Sequence, residues 1–127
     1  MSSRPGTIVF AVPGASAPHA RVKVEIVEKP EDQARGLMDR TSLPEDEGML
    51  FWIGVRHDHG FWAKRTLISL DLVFIDFDRV AGVLTMPPLD QRSYHLGRPS
   101  HHVLEVNGGW AARHGVKVGD RVQISLD

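Results

Sequence analysis

The sequence predicts a mainly β fold: a single domain over residues 1–127, a β sandwich or barrel carrying two short helices. Three observations predict it. Short runs of β-branched and aromatic residues recur along the chain, clusters of turn-forming residues separate them, and only two segments switch to a helical period.

Taken in order, "TIVFAV" and "ARVKVEIVE" read as strands joined by the turn-rich "PGASAPH". In the second strand Val22, Val24 and Ile26 alternate with Arg21, Lys23 and Glu25, so the pair predicts a hairpin with one wet face. Arg4, "TIVFAV" and "ASA" imitate a secretion leader, but six apolar residues are shorter than the roughly 7 to 15 of a normal apolar region, so the segment reads as a first strand. Any leader would lie upstream.

"KPEDQARGLMDR" changes period. Pro30 suits a first helical turn, Glu31 and Asp32 complement the positive end of the helix dipole, and Ala34, Leu37 and Met38 share a face. Gly36 within it costs about 1 kcal/mol relative to Ala, so either a backbone approaches closely there or the helix ends. "MLFWI" and "FWAKRT" follow as strands around the loop "GVRHDHG", then the apolar run from Leu67 to Asp76, a turn, and "VAGVLTM", together predicting a meander. "PPLDQRSYHLGRPSHH" has three prolines and no period, and reads as the longest irregular connection. "VLEVN" is a strand, Asn107 can cap a short helix around "GWAARH" that Gly115 ends, and "VKVGDRVQISL" closes the chain as two short strands. The total is eight or nine strands and two helices.

A chain of 127 residues can bury about two thirds of the surface its unfolded form exposes and needs no staple. Fifteen Lys and Arg are scattered among sixteen Asp and Glu, which argues against a nucleic-acid partner. The absence of cysteine excludes disulfides, thiolate metal sites and cysteine nucleophiles. No segment reaches the roughly eighteen apolar residues of a transmembrane helix, so a soluble protein is expected.

The residue that most invites explanation is Asp71. From Leu67 to Ile75, one strand face holds Leu67, Ser69, Asp71, Val73 and Ile75, and the other holds Ile68, Leu70, Leu72 and Phe74. A carboxylate in such surroundings must be paired or hydrogen-bonded, or it costs several kcal/mol. Lys64 and Arg65 are near in sequence and are the expected partners. Glu105, set among Val103, Leu104 and Val106, is a second acid in an apolar strand, and together they predict a semi-buried polar cluster. One reading is structural: both acids hold loops in place. The other is a pocket in which Lys64 or Arg65 engages a small polar or anionic ligand, Trp62 forms a wall, and Asp71 orients the cation.

His57 and His59 would share a strand face, and His101 or His102 could add a third metal ligand, but the first pair lies in a glycine-flanked loop and adjacent histidines point to opposite faces. No metal and no cofactor are expected. Phe51, Trp52, Phe61, Trp62 and Trp110 read as core; if the two FW arms pair, one ring of each could line a groove. No G-x-S-x-G, phosphate-gripping glycine loop or H-E-x-x-H is present, so any enzyme here would be an acid–base catalyst.

"ARGLMDRTSLPEDEGMLFWI", "FWAKRTLISLDLVFID" and "VLEVNGGWAARHGVKVGD" resemble, in order and spacing, the three signature blocks of the bacterial and archaeal family called domain of unknown function 192, a likeness spanning about residues 22–126. The resemblance implies a compact, mainly β fold and, because members frequently carry export signals, an extracytoplasmic (periplasmic) home. It implies no catalytic assignment. Ala63, Arg65 and Ser69 stand where the family's central block reads Met, Asn and Pro, and exchanging an amide for a guanidinium would change what binds.

The expectation is a small noncatalytic binding or accessory module whose ligand site comprises Trp62, Lys64, Arg65, Asp71 and Glu105. The first alternative is an acid–base enzyme using Asp71 and Glu105 with Lys64, which requires the two carboxyls within about 8 Å of each other. The second is a protein–protein interaction module with an exposed aromatic surface.

Overall fold

Seven strands close into a barrel in the computed structural model, which describes residues 2–127. The strands are β1 (Arg4–Ala11), β2 (Ala20–Val27), β3 (Glu47–His57), β4 (Gly60–Phe61), β5 (Leu70–Asp76), β6 (Arg79–Met86), β7 (Tyr94–His95), β8 (Ser100–Asn107) and β9 (Arg121–Leu126). The helices are α1 (Pro30–Arg35) and α2 (Trp110–Arg113). The barrel order is β1-β2-β3-β8-β5-β6-β9, closed by β9 against β1, while β4 and β7 form a separate two-stranded ribbon. The mainly β, barrel-like expectation with two short helices is correct.

The first hairpin forms as its alternation predicts, with Ile8 opposite Val22. Of the expected meander only the last hairpin forms, β5 against β6. β2 and β3 are parallel neighbours, which requires a crossover, and α1 with its flanking loops supplies it. β3 and β5 then both pair with β8, which inserts between them from late in the chain. Three local expectations also change. "FWAKRT" is not a strand beyond Phe61, β3 runs on through residues expected to form a loop, and residues 117–120 form a turn, so the C-terminal segment holds one strand instead of two.

Two apolar clusters flank one wall of the barrel. Inside lie Ile8, Phe10, Val24, Leu50, Val73, Leu104 and Trp110. Outside, against β3, β5 and β8, lie Val27, Leu37, Met49, Leu72, Phe74 and Val103. This explains the doubly apolar run of β5: Val73 and Ile75 face the barrel interior, while Leu70, Leu72 and Phe74 face a second layer formed by the segment after α1 and the loops around Ala63 and Leu96. A strand covered on both faces loses the polar alternation of a solvated sheet.

The close spacing of β3 and β8 requires Gly48. A Cβ there would lie 2.6 Å from the Glu105 carbonyl oxygen and 2.8 Å from Val106 Cγ1. Gly48→Ala is therefore expected to lower stability by about 2 kcal/mol, because the obstruction includes backbone that cannot swing aside. Urea denaturation checks it; an unchanged midpoint would contradict this packing.

Candidate functional site

The structure answers the question Asp71 raises in a way its neighbours in sequence do not suggest. Asp71 is 2% exposed and faces the barrel interior. Its Oδ1 accepts hydrogen bonds from the Thr85 hydroxyl at 2.8 Å and the Gly109 N–H at 3.0 Å, and its Oδ2 accepts one from the Ala111 N–H at 2.9 Å. The carboxylate thus caps α2 from another strand. α2 has no side-chain cap of its own: its N-cap is Gly109, in a left-handed conformation with φ of 84°. Asn107, expected as the cap, instead donates its side-chain amide to the Leu43 carbonyl at 2.7 Å.

The expected pairing of Asp71 with Lys64 or Arg65 is absent. Arg65 is exposed and hydrogen-bonds Asp39, with Nε 3.1 Å from Oδ1. Lys64 Nζ lies over the Trp62 ring, 5.5 Å from its centroid. The physical reason is the break after Phe61: residues 62–69 leave the sheet as an irregular segment, which carries both cations outside while Asp71 turns inward.

Asp71 and Glu105 also do not meet. Asp71 registers with Val106 and shares the interior face with it, whereas Glu105 registers with Leu72 on one side and Met49 on the other, on the outer face. The sheet lies between the two carboxyl groups, so the paired-acid geometry required of the acid–base enzyme does not form.

Glu105 is the unusual group. It is 5% exposed, and among the described residues its carboxyl makes no hydrogen bond and no ion pair. Burial pushes its pKa up from 4.5 to about 8, with no charged neighbour contributing. The side chain therefore carries its proton at neutral pH.

Glu105 borders a cleft of about 440 Å³ between the α1 segment and the loop after β3. Phe51, Phe61 and Trp62 contribute aromatic walls, and Gly36 and Leu37 line the α1 side. Phe51 and Phe61 pack edge to face at 5.4 Å, and Phe61 in turn contacts Phe74 at 6.2 Å, which fixes the wall to the outer cluster. Gly36 ends α1 with φ of 50°, and a Cβ there would lie 3.2 Å from Phe51 Cζ, so the helix stops where the cleft begins. Gln33 ties α1 down by donating to the carbonyls of Val27 and Trp52, both at 3.1 Å.

The rim is polar. Asp58 accepts the Gly97 N–H at 3.1 Å and lies 3.9 Å from His95, whose other ring nitrogen contacts the Ser93 hydroxyl at 2.8 Å. His59 contacts the Val55 carbonyl at 2.8 Å. His57 and His59 do come together, ring centroids 5.6 Å apart, but His101 and His102 are engaged by other groups, His101 by Asp76 and His102 stacked on Trp52 at 4.1 Å. Burial, with smaller contributions from His101 and His59, lowers the His102 pKa to about 4.

Of the five residues expected at a ligand site, Trp62 and Glu105 border this cleft, Lys64 and Arg65 border a second hollow that Trp62 also lines, and Asp71 lies inside the barrel. The sequence singles out neither the α1 wall nor His95 nor Thr66, and it offers His57 and His59 only as metal ligands. The one signal in the sequence is Gly36, which reads as a helix end or a close approach.

Two solved structures share this fold. One is a protein from Sinorhizobium meliloti 1021 described as a "putative transcription regulator", with a TM-score of 0.89 and 28% identity over 97% of this chain and 95% of that one. The other is a protein of unknown function from Novosphingobium aromaticivorans DSM 12444, with a TM-score of 0.82 and 36% identity over 95% of this chain and 84% of that one. No curated protein matches the sequence. The model of domain of unknown function 192, described as an uncharacterized ACR, matches residues 12–124, close to the span expected from the three sequence blocks, and the chain belongs to that family.

Proposed function

We propose that this protein is a small noncatalytic binding or accessory module whose ligand enters the cleft beside α1 and reaches Glu105. The observation that supports it is an unpaired, 5% exposed carboxyl bordering an open cleft of about 440 Å³. Leucine or methionine would fill the same volume without desolvating an acid, so a carboxyl retained there is best explained by a partner that arrives from the cleft. The volume and the aromatic walls suit a small molecule with an apolar body.

A nucleic-acid role is not part of this reading. Acids and bases balance, and Arg4, Arg40, Arg56, Arg65, Arg92 and Arg113 are each already paired with a carboxylate. An extracytoplasmic place of action is also proposed, on the strength of the export signals frequent in the family; fractionation of native cells tests it. No helix among the described residues is long and apolar enough to cross a membrane. A protein-docking role draws on Phe77, 70% exposed, and Val55, 64% exposed.

A thermal-shift screen of small molecules against wild type, Glu105→Gln and Phe77→Ala separates these readings. Stabilising compounds whose effect disappears in Glu105→Gln and survives in Phe77→Ala are expected. Hits indifferent to residue 105, or none, would overturn the pocket.

A further inference from the structure

We propose that the ligand is an organic amine, its ammonium group paired with Glu105 and its apolar body held between Phe51, Phe61 and Trp62. This inference rests on the pocket reading above and narrows it to one ligand chemistry.

The first observation is the missing cation. A buried carboxyl in a protein is normally paired with a Lys, an Arg or hydrogen-bond donors. Here the cross-strand neighbours of Glu105 are Met49 and Leu72; Arg65 is held by Asp39, Lys64 lies over the Trp62 ring, and Arg35, which also lines the cleft, makes no ion pair with Glu105. The carboxyl faces a cleft from which a cation can arrive, and among the described residues no group pairs with it.

The second observation is the wall. Three aromatic side chains line the same cleft, and the negative faces of such rings attract alkylammonium groups. Trp62 already holds one: the Lys64 ammonium lies 5.5 Å from its ring centroid.

The other charged and titratable groups lining the cleft are Arg35 from the α1 helix, His57 at the end of β3, Asp58 and His59 in the loop, and His95 on β7. Arg35 and Asp58, of opposite charge, both line the cleft. A carboxylate ligand could meet Arg35 there, but deeper in it would face Glu105, and a neutral ligand would leave Glu105 protonated with a single hydrogen bond. An ammonium converts Glu105 to its ionised form and forms a charge-assisted bond with a carboxyl that is itself only 5% exposed. The proton balance is then fixed: the amine enters already protonated, the Glu105 carboxyl loses its proton to the buffer, and a carboxylate–ammonium pair remains.

Isothermal titration calorimetry with phenethylamine, 2-phenylethanol and 3-phenylpropionate tests this on wild type and Glu105→Gln. These probes share a ring and differ in the head group. The amine is expected to bind roughly tenfold or more tighter than either analogue. At pH 7, in two buffers of different ionisation enthalpy, its binding is expected to release about 0.9 proton, the fraction still held by a group titrating at about 8. Both the preference and the proton release should vanish in Glu105→Gln. If the alcohol or the carboxylate binds better and still depends on Glu105, the pocket stands and the amine inference is wrong. If none of the three binds, the amine inference is wrong as well, and library hits that need Glu105 then decide the pocket separately.

Discussion

Replacing Asp71 by alanine is expected to cost about 4 kcal/mol of folding free energy, the largest loss foreseen for any single polar side chain here. The carboxylate accepts three hydrogen bonds, from Thr85, Gly109 and Ala111, inside a barrel end where water does not substitute. Hydrogen bonds to a charged acceptor contribute about 1.5 to 3 kcal/mol each, and buried donors left without a partner carry their desolvation cost. α2 depends on this group, because Gly109 provides no side-chain cap and Asp71 receives two N–H groups at the start of the helix. Trp110 sits in that helix and packs on Phe10 at 5.8 Å, so loosening α2 also loosens the barrel core. Asp71→Asn, which keeps one acceptor oxygen but turns an NH₂ toward existing donors, should cost about 2 to 3 kcal/mol. Chemical denaturation measures both, and losses below about 1 kcal/mol would contradict the capping role.

Glu105→Gln is expected to do the opposite and stabilise the protein at alkaline pH. The folded-state pKa is raised from 4.5 to about 8, so the folded chain holds its proton where the unfolded chain has released it. Below pH 4.5 both states are protonated and Glu105 has no penalty. As pH rises from 4.5 to 8, stability falls, and above 8 both states are ionised and the loss is complete. The full difference is of the order of 5 kcal/mol, since each unit of pKa difference corresponds to about 1.4 kcal/mol. Glutamine has the same shape and no charge to desolvate. The variant should therefore match wild type near pH 4.5 and exceed it progressively up to pH 8. The carboxylates of Glu45 and Asp76, held below their usual range mainly by Arg113 and Arg56, favour folding at higher pH, but they are common to both proteins and cancel in the comparison. A wild-type and variant difference that does not change with pH would show that Glu105 is not desolvated as described.

The two acids show how far the sequence could be read. Both were visible as carboxyls in apolar strands, and the alternation of β5 correctly separated Asp71, Val73 and Ile75 from Leu70, Leu72 and Phe74. What alternation cannot supply is the register between strands distant in the chain. β8 lies between β3 and β5, and only that pairing reveals that Asp71 and Glu105 project to opposite sides of one sheet. The basic residues nearest Asp71 in sequence lie six and seven positions away, yet the groups that hold it lie fourteen, thirty-eight and forty positions along the chain. Backbone N–H groups carry no signature in a sequence, so a cap supplied across the barrel is invisible until the fold brings it there. The barrel itself was legible because strand length, alternation and turn chemistry are local. The cleft was not, because it forms where the α1 crossover meets the outer face of the sheet, a tertiary juxtaposition with no local pattern.

Titration of the Glu105 carboxyl carbon by NMR, assigned by its absence in Glu105→Gln, bears most directly on the claim that a partnerless acid borders an open cleft. The ligand-free protein should show a midpoint near pH 8. A midpoint near 4.5, the value of an unperturbed side chain, would mean that water or a donor already satisfies the carboxyl, and the case for a ligand there would be gone.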